Sequence, residues 1–141
     1  MLATELYRIG NILHNAGIPF SASIFKGLIR LISNCAIDPK TKIGQGTFFA
    51  YGGIGVVVHR NCIIGERVTI SQNVTIGMQV ASSIGEKKVP QIGDDVYIGA
   101  GAVILGNVFI GRGSVIGAGA VLLKSTGENE VWAGVPAKRI R

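Results

Sequence analysis

The chain contains two histidines, His14 and His59. Imidazole is the side chain best placed to accept a proton near neutral pH. His59 follows Val57-Val58 and lies just after a glycine-rich run, Tyr51-Gly52-Gly53-Ile54-Gly55. His14 falls among residues spaced as in a helix and reads as a helix surface residue. Cys35 and Cys62 suggest neither a disulfide framework nor a metal site, and no metal is expected. The 14 Lys and Arg outnumber the 8 Asp and Glu, giving a formal charge of +6. These bases are scattered, with short clusters only at Lys87-Lys88 and around Lys138-Arg139. No basic run is interleaved with aromatics, so no nucleic-acid partner is expected. A phosphorylated cofactor accounts for a modest excess equally well.

The elements that would position these groups follow from a period of six. Ile92, Ile98, Ile104, Ile110 and Ile116 open successive hexads, and Val96, Ala102, Val108, Ser114 and Ala120 take their fifth places. A fixed hexapeptide period predicts a parallel β-helix. The 21 glycines, with 4 prolines and no collagen triplet, then belong to tight corners. Openers and fifth-place residues should point inward, and second-place glycines should mark the bends. Earlier hexads open at Ile37, Ile43 and Phe49, and after a nine-residue slip at Val58, Ile64, Ile70 and Ile76. Glycines 52, 53 and 55 let the backbone bulge at the slip. Cys62 takes a fifth place, as a small core residue would.

Three parts are expected. Residues 1–34 form a short α-helical cap, with Leu2, Leu6, Ile9, Ile12 and Leu13 at helical spacing, a break at Gly17-Ile18-Pro19, and a second helix over about 21–33. Residues 35–124 form the repeats, with a loop protruding at 77–89, and 125–141 form a tail. The favoured role of the cap is to cover the first coil's unpaired backbone. The other is peripheral contact with a membrane or lipid-linked substrate through the basic second helix. No signal peptide and no bilayer-spanning run is apparent, which makes the cytoplasm the expected compartment. Residues 37–124 make roughly five coils, about 24 Å tall at the spacing of neighbouring strands. Such a prism has flat faces, so a concave site should need a second copy of the chain or the protruding loop.

Three motifs carry a resemblance: Val74-Thr75-Ile76-Gly77, the run from Ile98 to Gly106, and Ala133-Gly134-Val135-Pro136-Ala137-Lys138. With them, residues 37–141 resemble the hexapeptide-repeat acyltransferases, in a branch that includes serine acetyltransferases and acetyltransferases of surface-polysaccharide biosynthesis. The resemblance implies a mainly β fold, a left-handed parallel β-helix, assembled as a homotrimer with acetyl-CoA bound between neighbouring prisms. It implies acetyl transfer to a hydroxyl with a histidine as general base, a role that suits imidazole against a weakly nucleophilic alcohol. Backbone N–H groups at glycine corners could hold the oxyanion. His59 is the candidate base; otherwise it is a solvated corner residue. For the donor, the resemblance points to Ala100 and Ala118 against the pantetheine arm. Lys124, Lys138 and Arg139 could meet the nucleotide phosphates, or be solvated charge. Trp132 could line the adenine site, but packing on the last coil is the favoured reading.

The sequence also departs from serine acetyltransferases. Their catalytic histidine takes the third place of the hexad that Phe49 opens here, which is Tyr51. Their second active-site histidine precedes a loop proline, and the residue before Pro90 is Val89. The large helical N-terminal domain of those enzymes has no counterpart in these residues. The departures favour a sugar hydroxyl of surface-polysaccharide biosynthesis as acceptor, with L-serine as the alternative and a non-catalytic scaffold as a third reading. Tyr51 could bind substrate, assist proton transfer or simply pack. A zinc site of three histidines could arise only on a symmetry axis.

Overall fold

The computed structural model describes residues 2–79 and 88–141. Most of the protruding loop expected at 77–89 lies outside the described residues. Two helices, α1 (Leu2–Asn15) and α2 (Ser21–Ser33), precede a prism of short parallel strands. The first face is built from β1 (Lys42–Ile43), β4 (Ile63–Ile64), β7 (Gln91–Ile92) and β10 (Phe109–Ile110). The second face holds β2 (Phe48–Phe49), β5 (Thr69–Ile70), β8 (Tyr97–Ile98) and β11 (Val115–Ile116). It is extended by β13 (Val131–Ala133) and by β14 (Lys138–Arg139), which pairs antiparallel to β13. The third consists of β3 (Val57–Val58), β6 (Thr75–Gly77), β9 (Val103–Leu105) and β12 (Val121–Leu122).

Hexad openers stack directly on one another: Ile43 on Ile64 on Ile92 on Ile110, Phe49 on Ile70 on Ile98 on Ile116, and Val58 on Ile76 on Ile104 on Leu122. All are buried, as are the described fifth-place residues from Thr41 to Ala120 outside the slip. Register is kept across both interruptions: Val58 stacks in line with Ile76, and Ile92 in line with Ile64. The one-residue alternation within each two-residue strand, outward then inward, gives the core its ladders.

The bends do not fall at the second-place glycines. The left-handed conformation recurs at the fourth place instead, at Gly46, Arg67, Asn73, Asp95, Gly101, Gly113 and Gly119. Second-place glycines meet a different demand. A Cβ on Gly65 would lie 2.7 Å from the main-chain carbon of Gly93, and one on Gly111 would lie 2.2 Å from the Gly127 carbonyl oxygen. Successive coils touch through their backbones there, which leaves no room for a side chain.

Helix α1 closes the first coil. Tyr7 Oη donates to the Thr41 carbonyl at 2.6 Å and Arg8 Nη1 to Ile43 at 2.8 Å. Arg8 Nη2 also donates to the Gly44 carbonyl, Asn11 Nδ2 donates to Pro39 at 2.8 Å, and Thr4 Oγ1 accepts from Phe49 N–H at 3.1 Å. The helix thus satisfies backbone groups that the start of a coil stack leaves without a strand partner. At the other end the tail folds back: Ala137 is buried and its N–H donates to Val121 at 2.8 Å. No described helix is long and apolar enough to cross a membrane.

Candidate functional site

Chain order around the prism assigns each candidate residue to an edge. Residues that follow the strands of the second face turn toward the third; those that follow the third turn toward the first. Tyr51, Ala100 and Ala118 therefore share one edge, whereas His59 and Lys124 share the next. The two edges border the same third face, and a face one hexad wide spans about 20 Å for six extended residues. Proton transfer needs heavy atoms about 3 Å apart. One chain alone does not bring Tyr51 and His59 together.

His59 is half-buried. Its N–H donates to Ile76 at 2.8 Å and its carbonyl accepts from Cys62 at 2.9 Å, so β6 fixes the corner. Its Nδ1 accepts from the Asn61 N–H at 3.2 Å. A neutral ring held that way carries its proton on Nε2, an assignment made from hydrogen-bond geometry. Acting as a base through Nε2 requires the other tautomer, and so the release of that long contact.

Tyr51 is exposed and left-handed (φ 53°), inside the turn of residues 50–53 where the extra residues of the slip begin. With Leu2, Ile32, Ser33, Asn34, Gly52 and Ile54 it lines a cleft of about 350 Å³ between the helices and the slip. The helical members of that lining read in the sequence only as parts of the cap helices, not as site residues. Asn34, itself left-handed at the end of α2, carried no chemical signal beyond a helix stop.

On the donor edge, Ala100 is half-buried and Ala118 exposed. The backbones here are in close contact: Gly119 N–H donates to Ala100 at 2.8 Å, and a Cβ on Gly99 would lie 2.5 Å from Ala118 N. Trp132 stacks over Ile116, packs against the core and donates from Nε1 to Glu130 Oε2 at 2.8 Å. That contact, with the Gly127 N–H and Arg139, keeps the Glu130 carboxyl below its ordinary range. Arg139 is already paired with Glu130 at 3.1 Å, whereas Lys124 and Lys138 are exposed. Burial pushes the thiols of Cys35 and Cys62 up to about 11, which removes both as nucleophiles at neutral pH. Among the described residues no cluster of metal-ligating side chains occurs.

Residues 90–124 match the family profile of the bacterial transferase hexapeptide (six repeats). Together with the stacked coils, this defines the chain as a hexapeptide-repeat protein folded as a left-handed parallel β-helix. It is serine acetyltransferase-like. The chain is 39% identical over 136 residues to the serine acetyltransferase of Escherichia coli K12, covering 96% of this chain and 49% of that protein. It is 36% identical to the Bacillus pumilus serine acetyltransferase, covering 94% of this chain and 59% of that protein. Among solved structures, the serine acetyltransferase of Brucella abortus S19 in complex with coenzyme A superposes with a TM-score of 0.87 at 36% identity, covering 98% of this chain and 54% of that one. The soybean enzyme complexed with serine gives 0.86 at 35% identity, covering 98% and 56%. The chain spans about half the length of the curated relatives it matches.

Proposed function

We propose that this chain is the catalytic β-helix of an acetyl-CoA-dependent O-acetyltransferase. The observation that carries the reading is its superposition, over 98% of its length, on a serine acetyltransferase solved with coenzyme A. The acceptor hydroxyl attacks the thioester carbonyl, His59 takes the hydroxyl proton, and a corner backbone N–H holds the oxyanion. Collapse of the tetrahedral intermediate breaks the C–S bond, and the proton passes to the leaving thiolate. The pantetheine arm lies along Ala100 and Ala118, with Lys124, Lys138 and Arg139 toward the phosphates.

The acceptor with most support is the hydroxyl of L-serine, which the named relatives favour over the polysaccharide sugar expected from the sequence. Tyr51 and Val89, at the places where those enzymes carry histidines, are what keeps a sugar hydroxyl as the second reading. Because the candidate residues fall on two edges, a trimer that sets one chain's Tyr51 edge against its neighbour's His59 edge would complete the site. Release of coenzyme A, followed with a thiol reagent, tests this. Turnover with L-serine that falls by 10²–10⁴ in His59→Ala is expected, the usual worth of a general base. Turnover with sugars but a flat trace with serine would select the second reading. Unchanged turnover in His59→Ala would remove the mechanism.

A further inference from the structure

Helix α2 leaves a large part of its apolar surface in solvent. The side it turns to the prism and α1 carries Ser21, Ala22, Ile29 and Ser33, all buried. The side it turns to solvent carries Ile24 and Leu31, 58% and 83% exposed, and Phe20 just before the helix is 78% exposed. Ile24 and Leu31 are seven residues apart, two helical turns, and so lie in one row; Phe20 starts the same row four residues earlier. Phe20 is held out by a left-handed backbone (φ 63°), a conformation unfavourable for an aromatic residue. Ile18 in the preceding turn is exposed beside it, and α1 adds exposed Leu2, Ile9 and Ile12.

The charges around this row are of one sign. Arg30 stands about 100–120° around α2 from this row, on its flank, whereas Lys26 one turn earlier is turned further back toward the prism. Lys40 joins Ile18 and Phe20 around a neighbouring cleft. Helix α2 contains no Asp or Glu. The nearest carboxylate in an ion pair is Asp38, which is buried and reaches Lys26 at 3.4 Å. An apolar stripe bordered by bases and free of acids is the pattern that lies in a lipid headgroup region, the stripe entering the acyl boundary and the bases meeting anionic headgroups. A second copy of the chain fits less well, because antiparallel α2 rows placed face to face would set the two Arg30 flanks on the same side.

We infer that the Phe20–Ile24–Leu31 face of α2 docks on an anionic lipid surface. The test is co-sedimentation of the full chain with extruded vesicles of phosphatidylcholine alone and of phosphatidylcholine with phosphatidylglycerol at 7:3. The expected result is binding to the mixed vesicles at least tenfold above the neutral ones, weakened by added salt. Phe20→Ser with Leu31→Gln should abolish it with the far-UV circular dichroism unchanged. Arg30→Glu, at an exposed site that leaves the stripe intact, should remove the preference for anionic vesicles. Absence of wild-type binding, or a double variant that folds and still binds equally, overturns the inference. So does a wild-type oligomer, seen by sedimentation velocity, that dissociates in the double variant while vesicle binding is unaffected.

Discussion

Replacing Gly99 with alanine probes the coil-to-coil contact on the edge assigned to the acyl donor. An added Cβ would lie 2.5 Å from Ala118 N, 2.9 Å from Ala118 Cα and 2.9 Å from Gly117 C, against an ordinary contact beginning at 3.4 Å. All three atoms are backbone or Cα, so no flexible side chain can move aside. Relief by coil separation requires an opening of about 0.9 Å, which would carry the 2.8 Å bond from Gly99 N–H to Ile116 beyond the ~3.2 Å limit of a good hydrogen bond. Overpacking of this kind costs about 1–3 kcal/mol, and a lost hydrogen bond adds about 0.5–1.5 kcal/mol. The expected loss is about 2–4 kcal/mol, read as a lower urea midpoint with an unchanged slope. Gly101→Ala is the control. Nothing lies within 4 Å of its Cβ, but its φ of +70° is left-handed, so its cost is about 1 kcal/mol. A Gly99→Ala loss below about 0.5 kcal/mol, or the reverse order of the two variants, would refute the close-approach account of second-place glycines.

Other consequences are open to simpler experiments. Tyr7→Phe deletes the donor to the buried Thr41 carbonyl and should cost about 1–3 kcal/mol. Tyr97→Phe, on an exposed ring, should change the urea midpoint little; equal effects would deny α1 its role in closing the first coil. Arg67 and Arg112 hold the Asp95 carboxyl below its ordinary range, chiefly through the Arg67 hydrogen bond. A depressed carboxylate contributes stability above its unfolded pKa and loses it as pH falls toward the folded value. Asp95→Asn, whose side chain tolerates the left-handed backbone, should therefore show a smaller drop in Tm between pH 7 and pH 3; an identical drop would contradict the pairing.

The fold was legible because its determinants are local and repeated. A branched opener at 43, 64, 92 and 110 specifies an inward ladder wherever the wall is, and the helix spacing of residues 2–13, broken at Gly17, places a helix where α1 lies. Which face of a helix is buried is not local. Ala3, Tyr7 and Gly10 face the prism, where close approach and a buried hydroxyl donor matter more than bulk. A second-place glycine likewise suggests a bend where its position demands closeness, because a sequence shows the missing side chain but not what would have filled its place. The candidate site was legible only by residue type. Tyr51 and His59 stand eight residues apart in the chain, yet on different edges, and what meets each edge is set by assembly. The cleft beside Tyr51 needed Ser33 and Asn34, whose roles in sequence end with stopping a helix.

A crystal structure of this chain with coenzyme A bears most directly on the proposed acetyl transfer, because the sulfur marks the reacting centre. The account predicts the pantetheine arm along Ala100 and Ala118 of one chain, with its thiol beside His59 contributed across an interface between copies and Tyr51 on the facing edge. A sulfur remote from both His59 and Tyr51, or no binding at millimolar coenzyme A, would contradict it.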